Sequence, residues 1–121
     1  IDKIDGGINA IDISPDSSTL ALGGGDGLVR LWDLNTGVEV KSWQGHAEGV
    51  HCLKYSSDGK YLATGGNDAS NAAGHHVRIR DAESGKQVIN LGSFPQPLQS
   101  LDFSPTGEFL LAGAGKTTAQ C

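Results

Sequence analysis

The chain contains no run of eighteen consecutive apolar residues, which excludes a helical membrane span. It also has no cluster of Lys and Arg. Nine basic side chains are dispersed among fourteen acidic ones for a formal net charge of −5, so nothing in it is suited to following a phosphate backbone, and nucleic acid is disfavoured as a partner. Cysteine is scarce. Cys52 falls in an expected strand and Cys121 is the last residue, a pair that makes no disulfide framework, and no N-glycosylation sequon accompanies them. Cys52 reads as a buried structural thiol. The opening residues IDKIDGG are neither a signal peptide nor an amphipathic targeting helix. These features together lead us to expect a soluble, intracellular, cytoplasmic chain without membrane contact.

What is abundant is glycine, eighteen in 121 residues, which points to many tight turns and short strands and hence to an all-β fold. The stretch LALGGGDGLVRLWDLNTGVEVKSWQGH, residues 20–46, shows the pattern most densely. Leu20 to Gly23 reads as a short buried strand, Gly24-Gly25-Asp26-Gly27 as a turn needing positive φ, and Leu28 to Asp33 as an apolar/basic alternation ending in Trp-Asp. A second turn, Leu34-Asn35-Thr36-Gly37, leads to a third strand over Val38 to Trp43. With Trp32-Asp33 at the position of a WD dipeptide and Gly45-His46 at that of a GH dipeptide, the chain resembles the WD-repeat β-propeller family.

Three stretches superpose: INAIDISPDSSTLALGG from Ile8, VHCLKYSSDGKYLATGG from Val50 and LQSLDFSPTGEFLLAGA from Leu98, at offsets of 42 and 48. The first offset suits a four-stranded blade, and the second is the same unit with six extra residues. Ile8, Val50 and Leu98 open the strand; Ile11, Leu53 and Leu101 follow three later, and Ile13, Tyr55 and Phe103 five later. Expected strands lie near 8–14, 19–23, 28–33 and 38–43 in blade one (about 8–43), and near 50–56, 61–65, 76–81 and 86–91 in blade two (about 50–91). A partial blade three (about 98–121) has strands near 98–104 and 109–113, and Gly115 to Cys121 lacks the alternation of a third strand. Fewer than three blades would leave apolar faces in water, so we expect a segment of a longer protein whose remaining blades cover them.

The extra residues fall in Asn67 to His76, NDASNAAGHH, expected to be a mobile surface loop and a candidate partner-binding element through Asn67, Asp68, Ser70, Asn71, His75 and His76. His75 and His76 read as a solvated loop end, since adjacent strand residues point to opposite faces and no Cys, Asp or Glu stands at a ligand spacing. No metal is expected. The resemblance further implies a hydrogen-bonded structural tetrad of His, Ser/Thr, Asp and Trp. Blade two supplies His46, Thr64 and Asp68, with Arg80 at the Trp position and Asp81 after it. Blade one supplies Asp26 and Trp32, with Leu22 at the hydroxyl position and Ile4 at that of the His. Blade three departs at all three alignable positions, Phe94, Ala112 and Lys116.

Catalysis finds no support in this pattern. Thr64 sits in a strand between Ala63 and Gly65, and no Gly-x-Ser-x-Gly elbow occurs, so a His-Thr-Asp set reads as a buried network and not as a nucleophilic site. The GAGKTT of residues 113–118 supplies only the second half of a phosphate-binding loop, because Leu110 occupies the place of the first Gly. We therefore expect a non-enzymatic protein–protein interaction scaffold without cofactor, part of a larger WD-repeat protein working in a multi-subunit assembly. The alternative is an enzyme or ligand-binding propeller whose site residues lie in blades outside this chain.

Overall fold

The computed structural model describes residues 7–67, 74–94, 98–105, 110–114 and 118–120. They form eleven strands and no helix: β1 (Ile8–Ile13), β2 (Thr19–Gly24), β3 (Leu28–Asp33), β4 (Glu39–Gln44), β5 (Gly49–Tyr55), β6 (Tyr61–Asn67), β7 (His75–Asp81), β8 (Gln87–Phe94), β9 (Leu98–Phe103), β10 (Leu110–Ala114) and β11 (Thr118–Gln120). They pair antiparallel into two four-stranded sheets, β1-β2-β3-β4 and β5-β6-β7-β8, and a three-stranded sheet, β11-β10-β9. The all-β expectation and its four-stranded antiparallel units thus match the architecture.

Four of the connections are written in local chemistry. Between β1 and β2, Ser14 Oγ donates to Asp16 Oδ1 (2.6 Å) and accepts from Thr19 N (3.0 Å). Between β5 and β6 the same bonds recur from Ser56, to Asp58 Oδ1 (2.6 Å) and from Tyr61 N (3.0 Å). Serine and aspartate replace backbone partners in such turns. The left-handed position of this turn is Gly59 (φ 75°) in the second sheet, whereas the first sheet forces Ser17 into it (φ 62°). Between β3 and β4, Asp33 Oδ1 accepts from Asn35 N and Thr36 N; between β7 and β8, Asp81 Oδ1 accepts from Glu83 N and Ser84 N.

Sheet faces alternate as period-two side chains require. Ala21, Val29 and Leu31 of the first sheet pack on Val50, Leu53, Tyr55 and Leu62 of the second, with Trp43 and Ala82 at the margin. On the other face of the second sheet, Cys52, Ala63 and Val77 pack with Leu101 of β9. The second sheet is thus layered between the other two. Ile11 and Ile13, on the face of β1 turned away from the second sheet, are 61% and 50% exposed. Each first strand carries a bulge, between Ile8 and Ala10, between Val50 and Cys52, and between Leu98 and Ser100. A bulge lets Val50 and Leu53 face the same way despite their spacing of three. The bulged Asn9 turns its Nδ2 to the Val50 carbonyl (3.1 Å), tying the first sheet to the second.

Two expectations are corrected. A third strand does follow β10: Thr118–Gln120 pairs with Ala112–Ala114, because ladder bonds are made by backbone groups and need no apolar alternation. His75 and His76 are not a solvated loop end. They open β7 in register with Asn67 and Gly66, His75 is only 9% exposed, and both Nδ1 atoms are buried. The end of β6, Gly65-Gly66-Asn67, pairs with Val77, His76 and His75 and so extends the hairpin this far. Asp68, Ser70 and Asn71 lie outside the described residues.

Candidate functional site

His46 is 1% exposed in the link between β4 and β5. The link is fixed from below: the amides of Gly45 and His46 both donate to the Gly27 carbonyl (2.9 and 3.1 Å), and Gln44 Nε2 donates to the His46 carbonyl (2.6 Å). Gly27 has φ +84°, and a Cβ there would collide with the His46 carbonyl oxygen, so this turn requires glycine on both counts.

The imidazole spans a rung of the second sheet. Thr64 of β6 and Arg78 of β7 are register partners, so their side chains share the face turned to the first sheet. His46 Nε2 lies 3.0 Å from Thr64 Oγ1, and Arg78 Nη1 donates to His46 Nδ1 (2.9 Å) and to the Gly45 carbonyl (3.1 Å). A guanidinium has donors only, so Nδ1 acts as acceptor in that contact. Gly66 makes the ring's seat, since a Cβ there would run into His46 Cγ and the Gly49 carbonyl. Of the tetrad-like residues in this sheet, His46 and Thr64 are together, and Asp68 lies outside the described residues. Arg78 was not anticipated, although the 48-residue offset pairs it with Arg30 and the β6–β7 register places it beside Thr64.

The first sheet does not bring Asp26 and Trp32 into one network. Asp26 Oδ2 meets Arg30 Nη2 at 2.8 Å and Oδ1 accepts from Leu28 N at 3.0 Å; the Arg30 hydrogen bond, above all, holds this carboxyl below its ordinary value. The buried Trp32 Nε1 has no hydrogen-bond partner among the described residues, in keeping with Leu22 at the hydroxyl position. Arg80, at the Trp position of the second sheet, reaches back to the first, where Nη2 donates to the Gln44 carbonyl (3.3 Å) and the guanidinium lies over Trp43, while Nη1 donates to the Gly85 carbonyl of its own sheet (3.1 Å).

The chemistry available is limited by burial. Thr64 is 0% exposed and cannot meet a substrate carbonyl. Burial pushes the Cys52 thiol up to about 12, far from a reactive thiolate. His51 and His75 face each other with ring centroids 6.3 Å apart, and partial desolvation, then the neighbouring His75, lowers the His51 pKa. Among the described residues no three His, Cys, Asp or Glu side chains converge as metal ligands. In the GAGKTT stretch, Gly113 and Ala114 belong to β10 and Thr118 opens β11, so the residue after this run enters a hairpin strand and not the helix that a phosphate loop feeds.

The outer part of the hairpin is organised by Asn67, whose carbonyl accepts from Glu48 N (2.7 Å) and whose Nδ2 donates to Glu48 Oε2 (3.4 Å). It anchors the β6–β7 connection to the link that carries His46.

The family model described as WD domain, G-beta repeat matches residues 3–33 and 37–70. The first match closes on Trp32-Asp33, and the second begins ahead of β4 and ends within the β6–β7 connection, before Arg80 replaces the tryptophan. Protein groucho of Drosophila melanogaster is 36% identical over 104 residues, which covers 86% of this chain and 13% of the relative's length. Repeat spacing, four-stranded antiparallel sheets and both of these matches agree, and the chain belongs to the WD-repeat family.

Proposed function

We propose that this chain is part of a non-enzymatic protein–protein interaction scaffold, acting within a multi-subunit assembly inside the cell. The observation that carries the reading is membership of the WD-repeat family across most of the chain. Two features support it. The polar side chains that resemble catalytic parts, His46 and Thr64, are buried and bonded within the protein, and the exposed Ile11 and Ile13 present an apolar sheet face suited to a further blade of the same propeller.

The β6–β7 connection contributes to the partner contact in this reading. Gly25-Asp26-Gly27 joins β2 to β3 without extra residues, so the additional length in the second sheet is not needed to close its hairpin. Replacing residues 69–74 by a single glycine would give Asn67-Asp68-Gly-His75, a two-residue turn that keeps the Asn67–His75 pair of the hairpin. In the intact protein the change should leave the melting temperature within a few degrees and reduce recovery of native partners in a pull-down. Recovery of every partner at the parental level, with the fold intact, would make the connection a passive insertion, which surface loops tolerate at small entropic cost.

A further inference from the structure

Between the first and second sheets, on the side of the β1–β2 and β5–β6 turns, opens a cleft of about 660 Å³ floored by Leu31 and Tyr55. We infer that this cleft docks a short peptide segment bearing a cationic side chain next to an aliphatic one. The inference rests on the scaffold reading and names a second surface for it, separate from the β6–β7 connection.

The apolar half of the site is Leu31 with Val40, the latter 63% exposed on the edge strand β4. The charged half is acidic: Asp16, Asp58 and Glu83 line the cleft against a single cation, Lys41. Lys41 is itself engaged, since its Nζ donates to the Glu83 carbonyl across the cleft. Asp16 and Asp58 hold their turns through Oδ1 alone; Oδ2 of each accepts no hydrogen bond from the described residues. Both carboxyls are held below their ordinary values, first by the hydrogen bonds from Ser14 and Ser56 respectively, so both stay anionic at any physiological pH. Two fixed carboxylates, each with an unspent oxygen, over an aliphatic floor complement an Arg or Lys beside a Leu or Val. The volume lies within the range of clefts that enclose a ligand segment. At the equivalent position of the third repeat the sequence has Thr106 in place of Asp16 and Asp58.

The test is fluorescence anisotropy on the intact protein with two labelled eight-residue peptides, one alternating Arg and Leu, the other with Glu for every Arg. The Arg/Leu peptide should bind, lose affinity with added salt, and lose about tenfold in the Asp16→Asn/Asp58→Asn double variant, which keeps the Oδ1 acceptors of both turns. Val40→Ser should weaken it several-fold, and the Glu/Leu peptide should not bind. Failure of the Arg/Leu peptide to bind, or equal binding by the parent and both variants, would overturn the inference. Should the double variant melt early, photo-crosslinking from the peptide in the parent decides: adducts at Leu31, Val40 or Tyr55 support the site, and adducts elsewhere refute it. Native partners still captured by a protein that binds no Arg/Leu peptide would reject this cleft while leaving the scaffold reading intact.

Discussion

The Arg80 guanidinium lies over the Trp43 ring, its Cζ 5.8 Å from the ring centroid, and joins the second sheet to the edge strand of the first. Gly85, in the turn after β7, closes on the same ring, where a Cβ would stand 3.3 Å from Trp43 Cε3. Desolvation, and then the charge of Arg78, disfavours the Arg80 cation; its Nε is buried without a hydrogen-bond partner among the described residues, so the aromatic face and two carbonyls offset that cost. A double-mutant cycle of Arg80→Met and Trp43→Leu, read by chemical denaturation, should give a coupling of about 1 kcal/mol. Additive effects would show that the stacking contributes nothing.

The His46 network should be structural. His46→Ala is expected to lower stability by roughly 1–3 kcal/mol by leaving Thr64 Oγ1 and the Arg78 guanidinium short of a buried partner. The folded fraction should keep its affinity for partners. An unchanged melting temperature in the intact protein would contradict this role.

Ser17 holds a left-handed conformation that its counterpart Gly59 adopts without a Cβ penalty. Ser17→Gly should therefore stabilise the protein by up to about 1 kcal/mol, the relief of strain exceeding the added chain entropy. The reverse change, Gly59→Ser, should destabilise it. A lower melting temperature for Ser17→Gly would count against strain at this turn.

Acid sensitivity follows from the turn carboxylates. Asp16 is held at about 2 by the hydroxyls of Ser14 and Ser18, and Asp26, Asp58 and Asp81 are lowered too, by Arg30, Ser56 and the Ser84 amide in first place. A carboxyl depressed in the folded state contributes stability that is present above its unfolded value, near 3.8, and is lost as pH falls through the folded one. These four groups should leave melting temperature level from pH 7 to 5 and lower it between about pH 4 and 2. Asp16→Asn should shallow that decline; an identical decline in parent and variant would exclude Asp16 as a contributor.

Strands and turns were legible because they depend on residues that recur at offsets of 42 and 48, as Ser14 with Ser56 and Asp33 with Asp81 do. The bulges leave a trace as well: Val50 and Leu53 are three apart, one more than strand alternation allows for a shared face. The strand at 118–120 was illegible because Thr-Ala-Gln carries no apolar alternation, while the ladder it joins needs only backbone groups. Arg78 escaped notice because its role arises from a register across β6 and β7 and from a histidine thirty-two residues earlier, neither of which is local in the chain. His75 and His76 look like loop residues by type, yet they pair with Asn67 and Gly66 and carry the ladder of β6 and β7 two residues further.

In every sheet the strands lie side by side in the order in which they leave the ribosome, so no ladder needs a segment to cross another before it can close. Each hairpin can zip within microseconds from its own turn, and the contacts distant in sequence are left to the meeting of sheet faces. The kinetic consequence is a division of labour. Changes in the Ser14 and Ser56 turns are expected to act on the rate of folding, while loss of the Arg80–Trp43 contact, made only when two sheets come together, is expected to act on the rate at which the protein comes apart.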